Sequence, residues 1–441
     1  MPDTLEVVHA LYCSFFERGV GYFFPEAALT VERGAAEVSP TLQFLHRTDG
    51  RLDLVWMGTR YHLEQTDGPF SEDQLRLLGA VGAVLSARYR GIFFPASAAS
   101  TSQLFEGLAE DRYVSAFLDH FPYLEESGLP ATRDVVAGAI EVLRLSSLIT
   151  YENRRVSTGV ILFGEGQSAC EGQAGLPGDA MPYSSPLVAI KSFHRLCDGL
   201  HTLFLVNRVG MLVDLVDIVQ FSCACPETDL PAPSPARYRA HSLATVRGGN
   251  ICLVLTPNGE IKVFARGVQV FHFVDGRWHL TDLTEKYRRF RKAAGETALA
   301  ERLFTAALNL AENRRGGLFV VLDDPESARG MVAAEDLLAN QAPGGSNKAQ
   351  LHYLLRERSV LDLELRVLQS IAQADGGIVM DRQGRLLAFG AILRSGGLPL
   401  AAQEGGRATA AMHASRFGLA LKISEDGPVS FYRGGQKVWE I

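Results

Sequence analysis

Two glycines and an arginine, Gly405-Gly406-Arg407, open an Ala-rich segment that runs to Arg416 in a chain of 441 residues. Its spacing predicts a helix, and a helix entered from glycines offers unpaired backbone N–H groups and a partial positive charge with no Cβ in the way. The chemistry of such a feature is anion binding, phosphate above all. Asp375-Gly376-Gly377 stands upstream and the turn Ser424-Glu425-Asp426-Gly427 downstream, each setting a carboxylate beside glycine. Taken alone, Asp375 reads as a turn carboxylate capping backbone N–H groups.

These residues need elements to position them. The apolar runs Ile378 to Met380 and Leu386 to Leu393 are joined by the turn Asp381-Arg382-Gln383-Gly384, and a third run spans Leu419 to Ile423. Bounded by Gly and Asp turns, they predict strands of a buried sheet, while Leu299 to Leu322 reads as a helix followed by a strand. Further upstream, Thr4 to Arg18 has helical spacing, Leu52 to Gly58 and Arg60 to Leu63 predict a strand pair, and Ser71 to Arg90 predicts a Ser-capped helix. Leu104 to His120 predicts another helix, and the first 125 residues carry no nameable chemistry.

Composition narrows the function. A net charge of −7 leaves no basic footprint for nucleic acid, so any anion site is local. The six cysteines (Cys13, Cys170, Cys197, Cys223, Cys225, Cys252) lack paired zinc spacing and read as reduced thiols of a cytoplasmic protein. Asp3 and Glu6 stand where a secretory signal needs bases, and Leu200 to Phe221 is too polar for a lipid-facing span. A soluble protein without membrane contact is expected.

The chain also resembles itself. Glu152-Asn153-Arg154-Arg155 follows a helical pattern and precedes the apolar run Gly159 to Phe163; Glu312-Asn313-Arg314-Arg315 does the same before Gly317 to Leu322. Asp198-Gly199 precedes a strand pair as Asp375-Gly376 does, and Arg239 lies 20 residues before Gly259 as Arg407 lies 20 before Gly427. The turn Thr256-Pro257-Asn258-Gly259 answers Ser424 to Gly427, and the loop Pro226 to Pro235 answers Ser395 to Glu404. The expected fold class is α/β: a mixed twisted sheet flanked by helices, as a diverged tandem duplication of one domain, plus an N-terminal α+β region. Two unrelated α/β domains sharing strand-turn grammar are the alternative. The expected domains are 1–125, 126–292 and 293–441, with the basic segment Lys286 to Gly295 as the linker.

The last third of the chain resembles the diadenylate cyclase family, which includes the nucleotide-making domain of the DNA integrity scanning protein. That family's D-G-A, G-T-R-H-R-A-A and S-E-E-x-G motifs read here as Asp375-Gly376-Gly377, Gly405-Gly406-Arg407-Ala408-Thr409-Ala410-Ala411 and Ser424-Glu425-Asp426-Gly427. The resemblance implies condensation of two ATP molecules into cyclic di-AMP with Mg²⁺ or Mn²⁺, in a site made where two domains face each other. It implies that Asp375 acts at the metal and the 3′-hydroxyl, Arg407 contacts phosphate, and Glu425 helps hold the metal. Gly376, Gly377, Gly405, Gly406 and Thr409 would complete the nucleotide site.

Ala408 and Thr409 depart from the family's histidine and second arginine, and a threonine hydroxyl does not replace an arginine fork. Lys348, His413 and Arg416 are the nearby bases that could compensate. In the first copy Asp198, Gly199 and Arg239 persist, but Thr256-Pro257-Asn258 lacks the glutamate, leaving either a regulatory domain or a structural relic. The expected protein is a diadenylate-cyclase-like enzyme under an N-terminal sensor region, working as a homodimer through its C-terminal domains. A nucleotide-binding signalling protein without turnover is the alternative.

Overall fold

The computed structural model describes residues 4–34, 38–65, 68–93, 105–118, 134–164, 181–223, 230–340, 347–394 and 405–441. The chain divides into two compact units, Met1–Leu230 with Ala240–Asp282, and Pro231–Arg239 with Leu283–Ile441. The architecture is α/β, with mixed sheets flanked by helices.

The first unit begins with helix α1 (Thr4–Phe23), strands β1 (Ala28–Glu32), β2 (Gln43–Thr48), β3 (Arg51–Trp56) and β4 (Thr59–Glu64), and helix α2 (Glu72–Phe93). The strands form an antiparallel sheet in the order β1-β4-β3-β2. The expected strand pair is β3 and β4, and the expected capped helix is α2. Its start is a capping box: Ser71 Oγ accepts from the Gln74 amide at 3.1 Å, and Gln74 Oε1 accepts from the Ser71 amide at 2.8 Å. Helix α3 (Ala109–Leu118) occupies part of the expected Leu104 to His120. The chain then continues through α4 (Val135–Ser147), β5 (Thr158–Leu162), β6 (Thr202–Val206), β7 (Leu212–Asp217), β8 (Ile251–Leu255), β9 (Ile261–Ala265), β10 (Val268–Val274) and β11 (Arg277–Leu280). These strands order as β11-β10-β9-β8-β5-β6-β7, with β5 and β6 parallel.

The second unit runs α5 (Leu283–Ala294), α6 (Thr297–Glu312), β12 (Gly317–Leu322), α7 (Leu365–Ala372), β13 (Gly377–Asp381), β14 (Leu386–Ala391), α8 (Gly406–Ala414), β15 (Gly418–Ile423), β16 (Val429–Arg433) and β17 (Gln436–Glu440). Strand order is β14-β13-β12-β15-β16-β17, with β12 and β13 parallel. Strand by strand this repeats the order β7-β6-β5-β8-β9-β10 of the first unit, including the parallel pair. Even the register shift recurs, at Val263/Phe264 between β9 and β10 and at Phe431/Tyr432 between β16 and β17.

The register refines the repeat read from sequence. Thr158 stands opposite Leu255, and Gly317 opposite Ile423, so Arg155 corresponds to Arg314 and the two tetrapeptides align one residue out of step. The helices before them also end differently. Helix α4 stops at Ser147, and Glu152 and Asn153, at φ +49° and +61°, form the turn of a hairpin between Thr150–Tyr151 and Arg154–Arg155. Helix α6 runs into its tetrapeptide directly, ending at Glu312. Both corresponding arginines nonetheless reach the same target: Arg155 Nη1 donates to the Asn258 carbonyl at 2.9 Å, and Arg314 Nη1 donates to that of Asp426.

Helix α5 covers most of the basic segment expected as a linker, and it buries Tyr287 and Phe290. Phe290 meets Phe304 of α6 at 5.8 Å and Phe431 of β16 at 5.3 Å between ring centroids, so this helix is part of the second unit's core. Pro231–Arg239 belongs to the same unit, where the Ala236 amide donates to Asn309 Oδ1 at 2.7 Å. Ser395 to Glu404 lies outside the described residues, as do Cys170 and Cys225. Cys13, Cys197 and Cys252 are buried free thiols, and Cys223 is exposed. Among the described residues, no helix is long and apolar enough to cross a membrane.

Candidate functional site

Strand β12 decides which residues meet. It pairs parallel with β13 and antiparallel with β15, so the start of β12, the start of β13 and the end of β15 share one end of the sheet. Asp375 lies two residues before β13, Gly316 one before β12, and Glu425 two after β15. Adjacent strands are about 5 Å apart, which brings three segments distant in sequence together. Helix α8 starts at this end too: Arg407 Nη1 donates to Glu425 Oε1 at 3.0 Å.

Asp375 is exposed and makes no side-chain hydrogen bond or ion pair with a described residue. Gly376 has φ +101°, and a Cβ there would stand 2.5 Å from the Ala391 carbonyl oxygen, so the strand pairing itself requires glycine. Gly377 lies in β13, where a Cβ would approach Leu318 to 3.3 Å. By contrast, a Cβ on Gly405 or Gly406 would meet nothing within 4 Å among the described residues. Gly405 is the N-cap of α8, without a side-chain cap. A helix start of this kind suits an anion.

Not every expected residue joins this end. Thr409 and Ala408 are only 6% and 2% exposed, turned into the packed face of α8. Arg416 packs by the β16–β17 turn, where a Cβ on Gly435 would lie 3.1 Å from its Nε. That turn follows Arg433, which pairs with Leu419 at the start of β15, so Arg416 marks the opposite end of the sheet. His413 meets Phe417 edge to face near the same far end, with ring centroids 5.6 Å apart. The Lys348 side chain lies outside the described residues.

The Arg407–Glu425 pair joins the residue expected on phosphate to one expected on a metal. Their side chains are 33% and 68% exposed, so the pair contributes roughly 0–1 kcal/mol and is readily exchanged. Asp375 and Glu425 are two of the carboxylates at this end. A nucleotide-bound Mg²⁺ takes one or two carboxylates together with phosphate oxygens and water, so the protein need supply only carboxylates such as these. Among the described residues, no group of three or more His, Cys, Asp or Glu could hold a metal by itself.

The first unit shows the same frame with other chemistry. By register, Ser157 corresponds to Gly316, Pro257 to Glu425, and His201 rather than Asp198 to Asp375. Asp198 is a capping carboxylate. Its Oδ1 accepts from the amides of Leu200, His201 and Thr202 at 2.9, 2.7 and 3.0 Å, and its Oδ2 lies 2.7 Å from His201 Nδ1. Partial burial pushes this carboxyl up, but the His201 ring and the three amides outweigh it and hold the group well below the ordinary carboxylate range. A groove of about 450 Å³ in this unit is lined by Arg155, Asn258 and Asp275 among other residues.

No family model matches the chain. No curated protein matches it either. Among solved structures it is similar to a hypothetical membrane-spanning protein from Bacillus cereus, at 20% identity and TM-score 0.27, over 35% of this chain and 70% of that one. It is similar also to DacA from Staphylococcus aureus, in a double-mutant form, at 16% identity and TM-score 0.22, over 34% of this chain and 87% of that one. Both are weak likenesses at the level of fold.

The Asp198 cap has a pH signature. Because its folded value is depressed, its stabilisation is present above the unfolded carboxyl value of about 3.9 and is lost as pH falls through the folded value. Asp198→Ala is expected to destabilise the first unit at neutral pH by about 1 kcal/mol or less, since the group is half exposed. Urea denaturation from pH 7 down to pH 3 should show the difference from the parent narrowing below about pH 4; a difference constant with pH would remove the charge from the effect.

Proposed function

We propose that the second unit is a diadenylate-cyclase-like nucleotidyltransferase that condenses two ATP molecules into cyclic di-AMP. Each 3′-oxygen forms a bond to the other nucleotide's α-phosphorus, and each α-phosphorus releases pyrophosphate. The observation that carries this reading is the placement of Asp375 and the Arg407–Glu425 pair at one end of the sheet, where α8 starts without a side-chain cap. Phosphoryl transfer asks a protein mainly for alignment and charge neutralisation, and these residues are suited to both.

Asp375, exposed and without a partner among the described residues, would accept the 3′-hydroxyl proton and orient that oxygen. Arg407 would exchange Glu425 for a phosphate oxygen, a charge-assisted bond in place of a weak surface pair. The leading amides of α8 would face the same polyphosphate. A Mg²⁺ or Mn²⁺ ion held by Asp375 and Glu425 would neutralise phosphate charge. The first unit, which has Pro257 in place of the glutamate, would serve as a regulatory domain with the N-terminal α+β region as a sensor.

A second reading is a nucleotide-binding signalling domain without turnover. Burial of Ala408 and Thr409 favours it, because neither side chain is available to the polyphosphate. Incubation of the full chain with ATP and Mn²⁺ or Mg²⁺, with mass spectrometry of the products, separates the readings. Cyclic di-AMP supports the enzyme; ATP binding without product supports the sensor.

Asp375→Asn is expected to abolish product formation while leaving the thermal midpoint unchanged, since it removes charge at an exposed position without altering shape. Undiminished product from this variant would take Asp375 out of the mechanism.

Arg407→Ala is expected to weaken binding of a non-hydrolysable ATP analogue about tenfold or more, while Arg416→Ala, at the far end of the sheet, leaves it unchanged. Calorimetric titration checks this, and equal losses would put the phosphates elsewhere.

A reaction that joins two nucleotides symmetrically calls for two facing sites. Two copies of the second unit related by a two-fold axis would each contribute Asp375, Arg407 and Glu425, giving an isologous homodimer. Specific activity should therefore rise with protein concentration through a monomer–dimer transition seen by light scattering. Constant specific activity in a monomer would refute the dimer.

A further inference from the structure

We propose that Gly316 is a positioning residue of this site: its missing side chain is the seat in which the Arg407 guanidinium lies against Glu425. The inference rests on the nucleotide reading for its purpose, and on geometry for the seat itself.

Gly316 is buried, immediately before β12. Its φ is not in the left-handed region, so the backbone does not call for glycine. Space does. A Cβ built on Gly316 would run into Arg407 Nη1, come within 2.9 Å of Arg407 Cζ and stand 3.1 Å from Glu425 Cγ. All three atoms belong to flexible side chains and none to the backbone, so alanine can be admitted by displacing the ion pair while the strand keeps its place. Neighbouring Gly317 differs, since a Cβ there would press on Leu310 at 3.2 Å and the Ala372 carbonyl oxygen at 3.3 Å, which is ordinary core packing.

The first unit supplies an internal comparison. There Ser157 holds the position of Gly316, and Pro257 that of Glu425. The glycine and the glutamate that it accommodates are absent together from the unit that has other chemistry at this end. In the second unit the seat fixes a long side chain that would otherwise sample many rotamers, so Arg407 is held at the sheet end before any ligand arrives.

The test uses the full-length chain and two readouts. In the first, the nucleotide-free protein is treated with phenylglyoxal, and modification of Arg407 and Arg416 is followed by peptide mass spectrometry. Gly316→Ala is expected to speed modification of Arg407 severalfold while Arg416 and the thermal midpoint stay unchanged. Glu425→Gln, which leaves the backbone untouched, should also speed modification of Arg407 and serves if the alanine variant fails to fold. In the second readout, a non-hydrolysable ATP analogue is titrated. Gly316→Ala should weaken binding about tenfold, and Gly316→Ala with Arg407→Ala should be no weaker than Arg407→Ala alone, because both act through one side chain. Unchanged Arg407 reactivity in both single variants overturns the seat. A general rise in reactivity with a lowered thermal midpoint overturns it as well, making Gly316 a packing residue. Faster Arg407 modification with analogue binding indifferent to Arg407→Ala leaves the seat standing, and overturns its role in positioning a nucleotide.

Discussion

Strand β12 is buried along its whole length, with a parallel neighbour on one side and an antiparallel one on the other. Leu318, Val320 and Leu322 point into the core shared with Ala411 and Ala414 of α8, and Phe319 and Val321 alternate to the opposite face. A slip of one residue would exchange those faces, so the apolar pattern fixes the register. Register in turn fixes which residues stand at the strand ends. The carboxylates at 375 and 425 stand at the same end of the sheet because β13 and β15 run in opposite directions on either side of β12, and no local preference near either residue would place them there.

Much of this frame was legible in the residues. Continuous apolar runs between Gly and Asp turns identify β12, β13, β14 and β15, because a strand covered on both faces has no polar side to interrupt the run. The α8 helix was legible from its Ala-rich spacing and glycine entry. The Arg407–Glu425 pair was not, since 18 residues and a strand separate its members and only the fold joins them. Gly316 escaped for a different reason: nothing in a Gly-Gly pair tells which glycine makes room for a distant side chain. Sequence could not place Arg416 and His413, because proximity to Arg407 hides the length of α8, nine residues that carry them toward the other end of the sheet.

The repeat shows how much can change on a constant frame. Strand order, the parallel pair and the register shift near the sheet edge recur, and two arginines reach equivalent turn carbonyls from a hairpin in one unit and a helix end in the other. The shared tetrapeptide is thus one residue out of register, and a match of letters overstated the local likeness while understating the tertiary one. Gly259 and Gly427 belong to the same arrangement. A Cβ on either would crowd the arginine, at 3.2 and 2.9 Å from its Nη1, and both have positive φ.

The contrast between Asp198 and Asp375 bears most directly on function. Three amides and a histidine saturate Asp198, so that carboxylate has little capacity left for a ligand. Asp375 carries no such partners among the described residues and faces solvent, where a carboxylate keeps its full acceptor capacity. Arg407 and Glu425 fall between these extremes, satisfied by each other but only weakly held. In a chain of net charge −7, an arginine left unpaired at this end would be the natural target of any acidic group nearby. Pairing it with Glu425 over Gly316 keeps the charge in place at small energetic cost, and a polyphosphate with its cation offers each partner a stronger replacement.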